Sequence, residues 1–206
     1  MRRTSTHAAP PPARYSRTAV TLHWLLALAL FATFCVGFYM SDLELSPLRV
    51  RLFNWHKWAG ITILALSVVR LGWRLTHARP ADVSMEPLRQ RLALFAHRAM
   101  YALFLAVPLA GWAYSSATGF QVVVFGVLPL PDFVPKSKPL ADVLVDVHAT
   151  LAWTLAALVS AHVAAALQHQ FVERDGLIGR MWFAPRRRRA APARGPAPLP
   201  NKPGRA

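Results

Sequence analysis

Long apolar runs separated by short polar segments set the pattern of this chain. Residues 19–40 contain no Asp, Glu, Lys or Arg, and a helix of about 20 residues crosses the roughly 30 Å hydrocarbon core of a bilayer. Residues 52–73 are interrupted only by Lys57 and Arg70, which lie near the ends of the run, where long cationic side chains can reach lipid headgroups. The pattern predicts two membrane-spanning helices here.

A third apolar run, residues 99–131, is too long for a single crossing. Gly119 and the prolines that follow it predict that the helix ends near Ser116 and that an apolar external loop follows. Residues 147–172 also lack formal charge, and Glu173 closes this fourth run. We therefore predict an all-α integral membrane bundle of four helices, with spans over about 19–40, 52–73, 97–116 and 147–172.

The basic residues are divided unevenly between the two sides of such a bundle. Of the 24 Lys and Arg residues, 19 fall in segments 1–17, 70–98 and 174–205, and five fall toward the opposite side: Arg49, Arg51, Lys57, Lys136 and Lys138. Because segments rich in Lys and Arg stay inside, the sequence predicts that both termini are cytoplasmic.

Composition agrees with a membrane protein. A net charge of +15 is typical of nucleic-acid binding, but 54% of the residues are hydrophobic and the charges cluster between uncharged stretches, so we expect no nucleic acid as a partner.

Residues 15–183 form the predicted helical domain. The basic segment 1–14 and the Pro/Arg-rich tail 184–206 are too poor in apolar residues to pack, and we expect them to be disordered, with the tail against anionic lipid. The single Cys35 excludes a disulfide framework within the chain.

Histidines are the candidate functional residues, because ionisable groups in a membrane span are costly and indicate function. His148 and His162 are 14 residues apart on the fourth helix, which is about 21 Å of rise and leaves both rings within about 40° of the same face. Helix direction sets the depth of the others. His148 can meet His56 in the outer half of the bundle, and His162 can meet His23 in the inner half.

Two bis-histidine pairs suit two non-covalent haem groups, because each macrocycle needs one imidazole on each side from facing helices. Zinc fits poorly, since a structural zinc site needs about four N or S ligands close together. The alternative is that the four rings are structural and bind interfacial water. His97 and His169 are open to either a functional or an interfacial role.

The sequence resembles the bacterial cytochrome b561 family in several motifs that occur in the family's order. They are YSRTAVTLHW (15–24), HKWAGITILALSVVRLGWRL (56–75), AHRAMYALFLAVPLAGWAYSSATG (96–119), VHATLAW (147–153) and AHVAAALQHQFVERDGLIGRM (161–181). The resemblance implies a multi-pass protein of the bacterial inner membrane with two haem b groups. It maps the axial ligands onto His23 with His162 and His56 with His148.

The resemblance also implies electron transfer between the periplasmic side and the ubiquinone pool. One branch of the family oxidises superoxide and reduces ubiquinone, so we expect an oxidoreductase of that type. Arg49, Arg51 and Lys57 would steer a small anion to the outer haem edge, whereas Asp142 and Asp146 oppose this.

Two questions stay open at this point. A quinone site with proton delivery would use His97 or His169 in the inner half, or Lys57, Asp142 or Asp146 in the outer half. The alternative function is an electron-relay subunit that docks on a dehydrogenase or hydrogenase partner through the apolar loop 120–134. Lipid, a quinone, and either superoxide or a redox partner protein are thus the expected partners.

Overall fold

The computed structural model describes residues 14–78, 80 and 86–183. Its helices are α1 (Arg17–Ser41), α2 (Pro47–Thr76), α3 (Pro87–Thr118) and α4 (Lys138–Gln168). A π-helical turn, His169–Glu173, continues α4, and a short 3₁₀ turn follows at Ile178–Met181. The predicted disordered segments 1–14 and 184–206 lie outside the described residues, except for Arg14.

The helices extend beyond the predicted spans because polar residues outside the apolar runs cap them. Ser16, Ser46 and Ser137 precede α1, α2 and α4, and each hydroxyl accepts a hydrogen bond from the backbone N–H three residues later. A proline stands in the first turn of α2, α3 and α4, where its missing N–H costs nothing. These signals start each helix before its apolar run begins.

The connection between α3 and α4 begins at Gly119, which has φ +77° and donates its N–H to Ser116 O. A glycine in this left-handed conformation ends a helix without steric cost. The predicted apolar loop then contains a two-stranded antiparallel hairpin, β1 (Val123–Val124) and β2 (Leu128–Pro129). The indole N–H of Trp58 donates to Val123 O at 2.6 Å, which ties the hairpin to α2.

Successive helices are neighbours: α1 packs on α2, α2 on α3 and α3 on α4. The starts of α1 and α3 therefore lie with the ends of α2 and α4, at what we call the terminal end of the bundle. The opposite end, which holds the β1–β2 turn, is the hairpin end. All four helices are long and apolar enough to cross a membrane, so the predicted all-α membrane bundle is confirmed.

An apolar cluster fills the middle of the bundle, and we call it the central layer. Its buried members are Met100, Leu103 and Leu155. Partly buried side chains surround them: Leu30, Phe104, Val107, Leu151, Leu158 and Val159. On the seam between α1 and α4, the rings of Phe34 and Phe38 meet Trp153 edge-on, at 5.1 and 6.1 Å.

Leu155→Ala tests the central layer. Leu155 is only 6% exposed, so its truncation leaves a cavity that should destabilise the bundle by about 2 kcal/mol, mainly through lost packing. Unfolding of the purified protein in mixed micelles of increasing SDS fraction measures this. Leu28 is 68% exposed, so Leu28→Ala is the matched control and should unfold like the wild type. Equal effects of the two changes would contradict a packed central layer.

Candidate functional site

Two pairs of histidine rings face each other inside the bundle at different depths. His56 on α2 and His148 on α4 have ring centroids 6.0 Å apart, with planes at 83°. His23 on α1 and His162 on α4 have centroids 6.4 Å apart, with planes at 73°. The first pair lies toward the hairpin end and the second toward the terminal end, separated along α4 by about 21 Å.

The separation within each pair fits two imidazoles on opposite sides of one metal ion. A metal–imidazole bond of about 2 Å, with about 1.1 Å from the nitrogen to the ring centre, puts two axial rings about 6 Å apart. Crossed ring planes are compatible with such a pair, because an imidazole can rotate about its bond to a metal. His97 also faces His162, but its centroid is only 5.2 Å away. His23 therefore has the better spacing as the partner of His162.

Backbone carbonyls orient the rings of the hairpin-end pair. His56 Nδ1 lies 3.2 Å from Thr33 O, and His148 Nδ1 lies 2.9 Å from Val107 O. Since a carbonyl only accepts, each Nδ1 carries the proton, and Nε2 keeps a lone pair for a metal. Metal-binding histidines usually have this arrangement, which fixes both tautomer and ring orientation.

Glycines let neighbouring helices approach these two rings. A Cβ added at Gly37 would lie 2.8 Å from His56 Cε1, and one at Gly111 would lie 3.0 Å from His148 Cε1. Sequence reasoning missed both residues. The available signal was that glycine inside an apolar helix costs stability and so indicates a close approach. A Cβ at Gly60, one turn from His56 on α2, would meet nothing within 4 Å, which leaves room beside that ring.

The terminal-end pair has a different environment. Arg70 donates one N–H to His23 Nδ1 at 3.2 Å and another to Ala19 O at 3.3 Å. We expected Arg70 to reach lipid headgroups, and this expectation is wrong: its side chain turns inward to α1, where it finds acceptors for its donors. His97 Nδ1 donates to Ala93 O at 2.6 Å.

His169 lies beyond α4, within an ionic network. Its Nδ1 is 2.7 Å from Asp175 Oδ2 and 2.9 Å from Glu173 Oε2, and Arg89 pairs with Glu173 at 2.7 Å. Burial opposes ionisation of Asp175, but hydrogen bonds from the Leu177 N–H and the His169 ring outweigh it and hold the pKa of Asp175 below its ordinary value. The network ties the end of α4 to the start of α3.

The three cations near His56 on α2 have different surroundings. Lys57 Nζ donates to Phe120 O at 2.9 Å, and the Arg49 guanidinium lies 5.5 Å from the centre of the Phe53 ring. Arg51 is exposed.

Two carboxylates at the hairpin end, Asp142 and Asp146, oppose the attraction of an anion, and their contacts differ. Asp142 accepts both of its short contacts from Lys138, at 2.9 and 3.0 Å. Asp146 is exposed beside Val143, Val147 and Thr150.

A four-helix membrane bundle with paired interior histidines is typical of a membrane cytochrome b. Comparison with known proteins identifies the family, because the family model for prokaryotic cytochrome b561 matches residues 14–184. The chain belongs to the prokaryotic cytochrome b561 family.

Curated relatives agree along nearly their whole length. Cytochrome b561 homolog 2 of Escherichia coli (strain K12) is 30% identical over 172 residues, which cover 82% of this chain and 92% of the relative. A protein of Yersinia pestis named probable superoxide oxidase CybB is 30% identical, covering 82% and 95%. Cytochrome b561 homolog 1 of E. coli is 29% identical, covering 85% and 99%.

Family membership makes the chain a multi-pass bacterial membrane protein that transfers electrons with b-type haem. The residues present fit that group. Both ring pairs have the separation of two axial ligands, and the hairpin-end rings hold their Nδ1 protons on carbonyls.

Gly37→Ala tests whether the close approach of α1 orients the His56 ring. The new methyl group would lie 2.8 Å from His56 Cε1, so the ring must turn or α1 must withdraw. A haem bound by this ring would then show a weaker or spectrally shifted Soret band. Gly72→Ala is the matched control, because nothing lies within 4 Å of a Cβ there. A Gly37→Ala protein with the wild-type spectrum would contradict this role.

Proposed function

We propose that the chain holds two b-type haems, one bound by His56 and His148 and the other by His23 and His162. The carrying observation is the ring separation of 6.0 and 6.4 Å in two pairs at different depths. A single pair of rings at this distance is also found in ordinary side-chain packing. Two pairs at the spacing of axial ligands, both of which use α4, support a shared role in binding haem.

Haem held by these two histidine pairs would supply one-electron oxidation and reduction. Backbone carbonyls orient the imidazoles of the hairpin-end pair. The central layer excludes water between the two pairs. Because a histidine from each of two helices would hold each haem, electron donors and acceptors would exchange electrons at the edges of the sites and not bind the iron.

We place both termini in the cytoplasm of the bacterial inner membrane, on the evidence of the basic segments at the terminal end. The hairpin end then faces the periplasm. There we propose superoxide as the electron donor, in line with the name of the Yersinia pestis relative. Arg49, Arg51 and Lys57 attract a small anion, and the pairing of Asp142 with Lys138 reduces the opposing charge.

The proposed reaction balances with ubiquinone as the acceptor. Two superoxide ions lose one electron each and become two molecules of oxygen. Ubiquinone takes the two electrons with two protons and becomes ubiquinol. His97 and His169 are the candidate proton donors at the terminal end. Lys57, Asp142 and Asp146 are the candidates at the hairpin end.

A second function, an electron relay for a dehydrogenase or hydrogenase partner, is favoured by one observation. The loop at the hairpin end exposes large apolar side chains, with Phe120 at 75%, Phe125 at 64% and Val127 at 80%. Such a patch is typical of contact with another protein or with lipid. In this case the chain has no catalysis of its own.

Haem content tests the ligand assignment. We expect the pyridine haemochrome of the purified protein to give two b-type haems per chain. His56→Ala and His148→Ala should each remove one haem and leave the other, because the pairs lie about 21 Å apart along α4. His77→Ala is the matched control, since this exposed ring contacts only neighbours at the end of α2: it stacks on Trp73, with centroids 3.5 Å apart, and its Nδ1 lies within hydrogen-bond distance of Thr76 Oγ1 and Trp73 O. One haem per wild-type chain, or loss of both haems from a folded variant, would sink the two-site assignment.

Turnover by the purified protein separates the two functions. We expect superoxide to reduce added ubiquinone. We expect Lys57→Gln to lower kcat/KM for superoxide. High salt should lower it in the same way, because salt screens the attraction between the cation and superoxide. Arg91→Gln, an exposed change at the terminal end, is the control. No turnover without a partner would favour the relay function.

The same assay locates the quinone site. If His97→Ala and His169→Ala keep both haems but slow quinone reduction, the site lies at the terminal end. If they leave the rate unchanged while Asp146→Asn abolishes it, the site lies at the hairpin end.

A further inference from the structure

Arg70 is a charged residue inside a membrane span with no opposite charge nearby. It lies six residues before the end of α2 and is half-buried. Among the residues that the structure describes, no carboxylate lies within ion-pair distance of its guanidinium. The guanidinium donates to His23 Nδ1 and Ala19 O and also hydrogen-bonds the Tyr101 hydroxyl, and all three groups are neutral. An unpaired charge at this depth is costly, so an anionic partner would stabilise it.

The position of Arg70 along α2 matches the spacing of the two histidine layers. Arg70 follows His56 by 14 residues, as His162 follows His148 on α4. Both spacings give about 21 Å of rise and return to within about 40° of the same face. α2 therefore contributes a histidine, His56, to the hairpin-end layer, and it contributes Arg70 at the equivalent position of the terminal-end layer.

A second polar group on this face of α2 has no hydrogen-bond partner among the described residues. Ser67 is 2% exposed, and its Oγ has no hydrogen bond among the described residues. It lies 11 residues after His56, within about 20° of the same face, and one turn before Arg70. A hydroxyl in a helix commonly bonds the carbonyl four residues earlier, and this one does not.

The bond from Arg70 to His23 is incompatible with iron binding by that ring. A guanidinium has donors only, so His23 Nδ1 accepts from Arg70, and the proton of the neutral ring sits on Nε2. A nitrogen that carries a proton cannot ligate iron. For Nε2 to bind iron, Nδ1 must carry the proton and donate it to an acceptor. The carbonyl one turn earlier on α1 is Ala19 O, which Arg70 also contacts.

We propose that Arg70 is the cationic partner of the carboxylates of the haem at the terminal end, and that its shift to them releases His23 to bind iron. In that arrangement the His23 Nδ1–H donates to Ala19 O, as the His97 Nδ1–H donates to Ala93 O, also four residues earlier. Ser67 Oγ supplies a further donor on the same face. The inference rests on the proposed binding of this haem by His23 and His162.

Haem b and its dimethyl ester provide the test, because the ester keeps the macrocycle and removes both negative charges. The full chain, produced in a haem-deficient host, is titrated with each compound in detergent, and binding at the terminal-end site is followed by the Soret band. We expect Arg70→Gln to weaken haem b binding there by about ten- to a hundredfold, as for a lost charge-assisted hydrogen bond. The ester should bind the wild type and Arg70→Gln equally.

Controls separate this inference from the assignment of the ligands. Arg98→Gln makes the same charge change beside His97 on the exposed side of α3 and should bind haem b like the wild type. The hairpin-end haem in each variant reports on folding. Equal weakening of both compounds by Arg70→Gln, or wild-type binding of haem b, would overturn the role of Arg70. Retention of both haems by His23→Ala would instead overturn the ligand assignment.

Discussion

The regular geometry of α4 is the constraint on which the rest of this bundle depends. One helix presents His148 and His162 on nearly the same face, about 21 Å apart, so any partner ring must come from a neighbouring helix at one of these two depths. His56 and His23 meet that requirement from α2 and α1. The central layer occupies the space between the two depths, which keeps two polar layers apart in an apolar interior.

The two layers differ in how the protein orients its imidazoles. At the hairpin end, backbone carbonyls of α1 and α3 accept from His56 and His148, and Gly37 and Gly111 allow the helices to approach the rings. These contacts are made by backbone, so they persist as long as the helices do. At the terminal end, a long side chain, Arg70, contacts His23 instead. The terminal-end layer is therefore the one that a bound anion can rearrange.

The sequence predicts the four helices well, because an uncharged segment of about 20 residues has few alternatives in a bilayer. It also predicts which rings meet, since depth in an antiparallel bundle is simply distance along the chain. The direction in which each residue faces around its helix axis is harder to predict. The contacts of Gly37 and Gly111, and the inward turn of Arg70, depend on how two helices are rotated against each other. The sequence of a single helix does not contain that information, and the β1–β2 hairpin likewise depends on its contact with Trp58.

The central layer has an electrical consequence. It separates the two histidine layers by about 21 Å of a hydrocarbon core of about 30 Å, so an electron passing from one layer to the other crosses about two-thirds of the membrane voltage. At 100 mV, negative inside, an electron moving inward is opposed by about 1.6 kcal/mol. Electron flow along the whole bundle would then slow as the membrane becomes more polarised, whereas exchange confined to the hairpin-end layer would be almost insensitive to voltage.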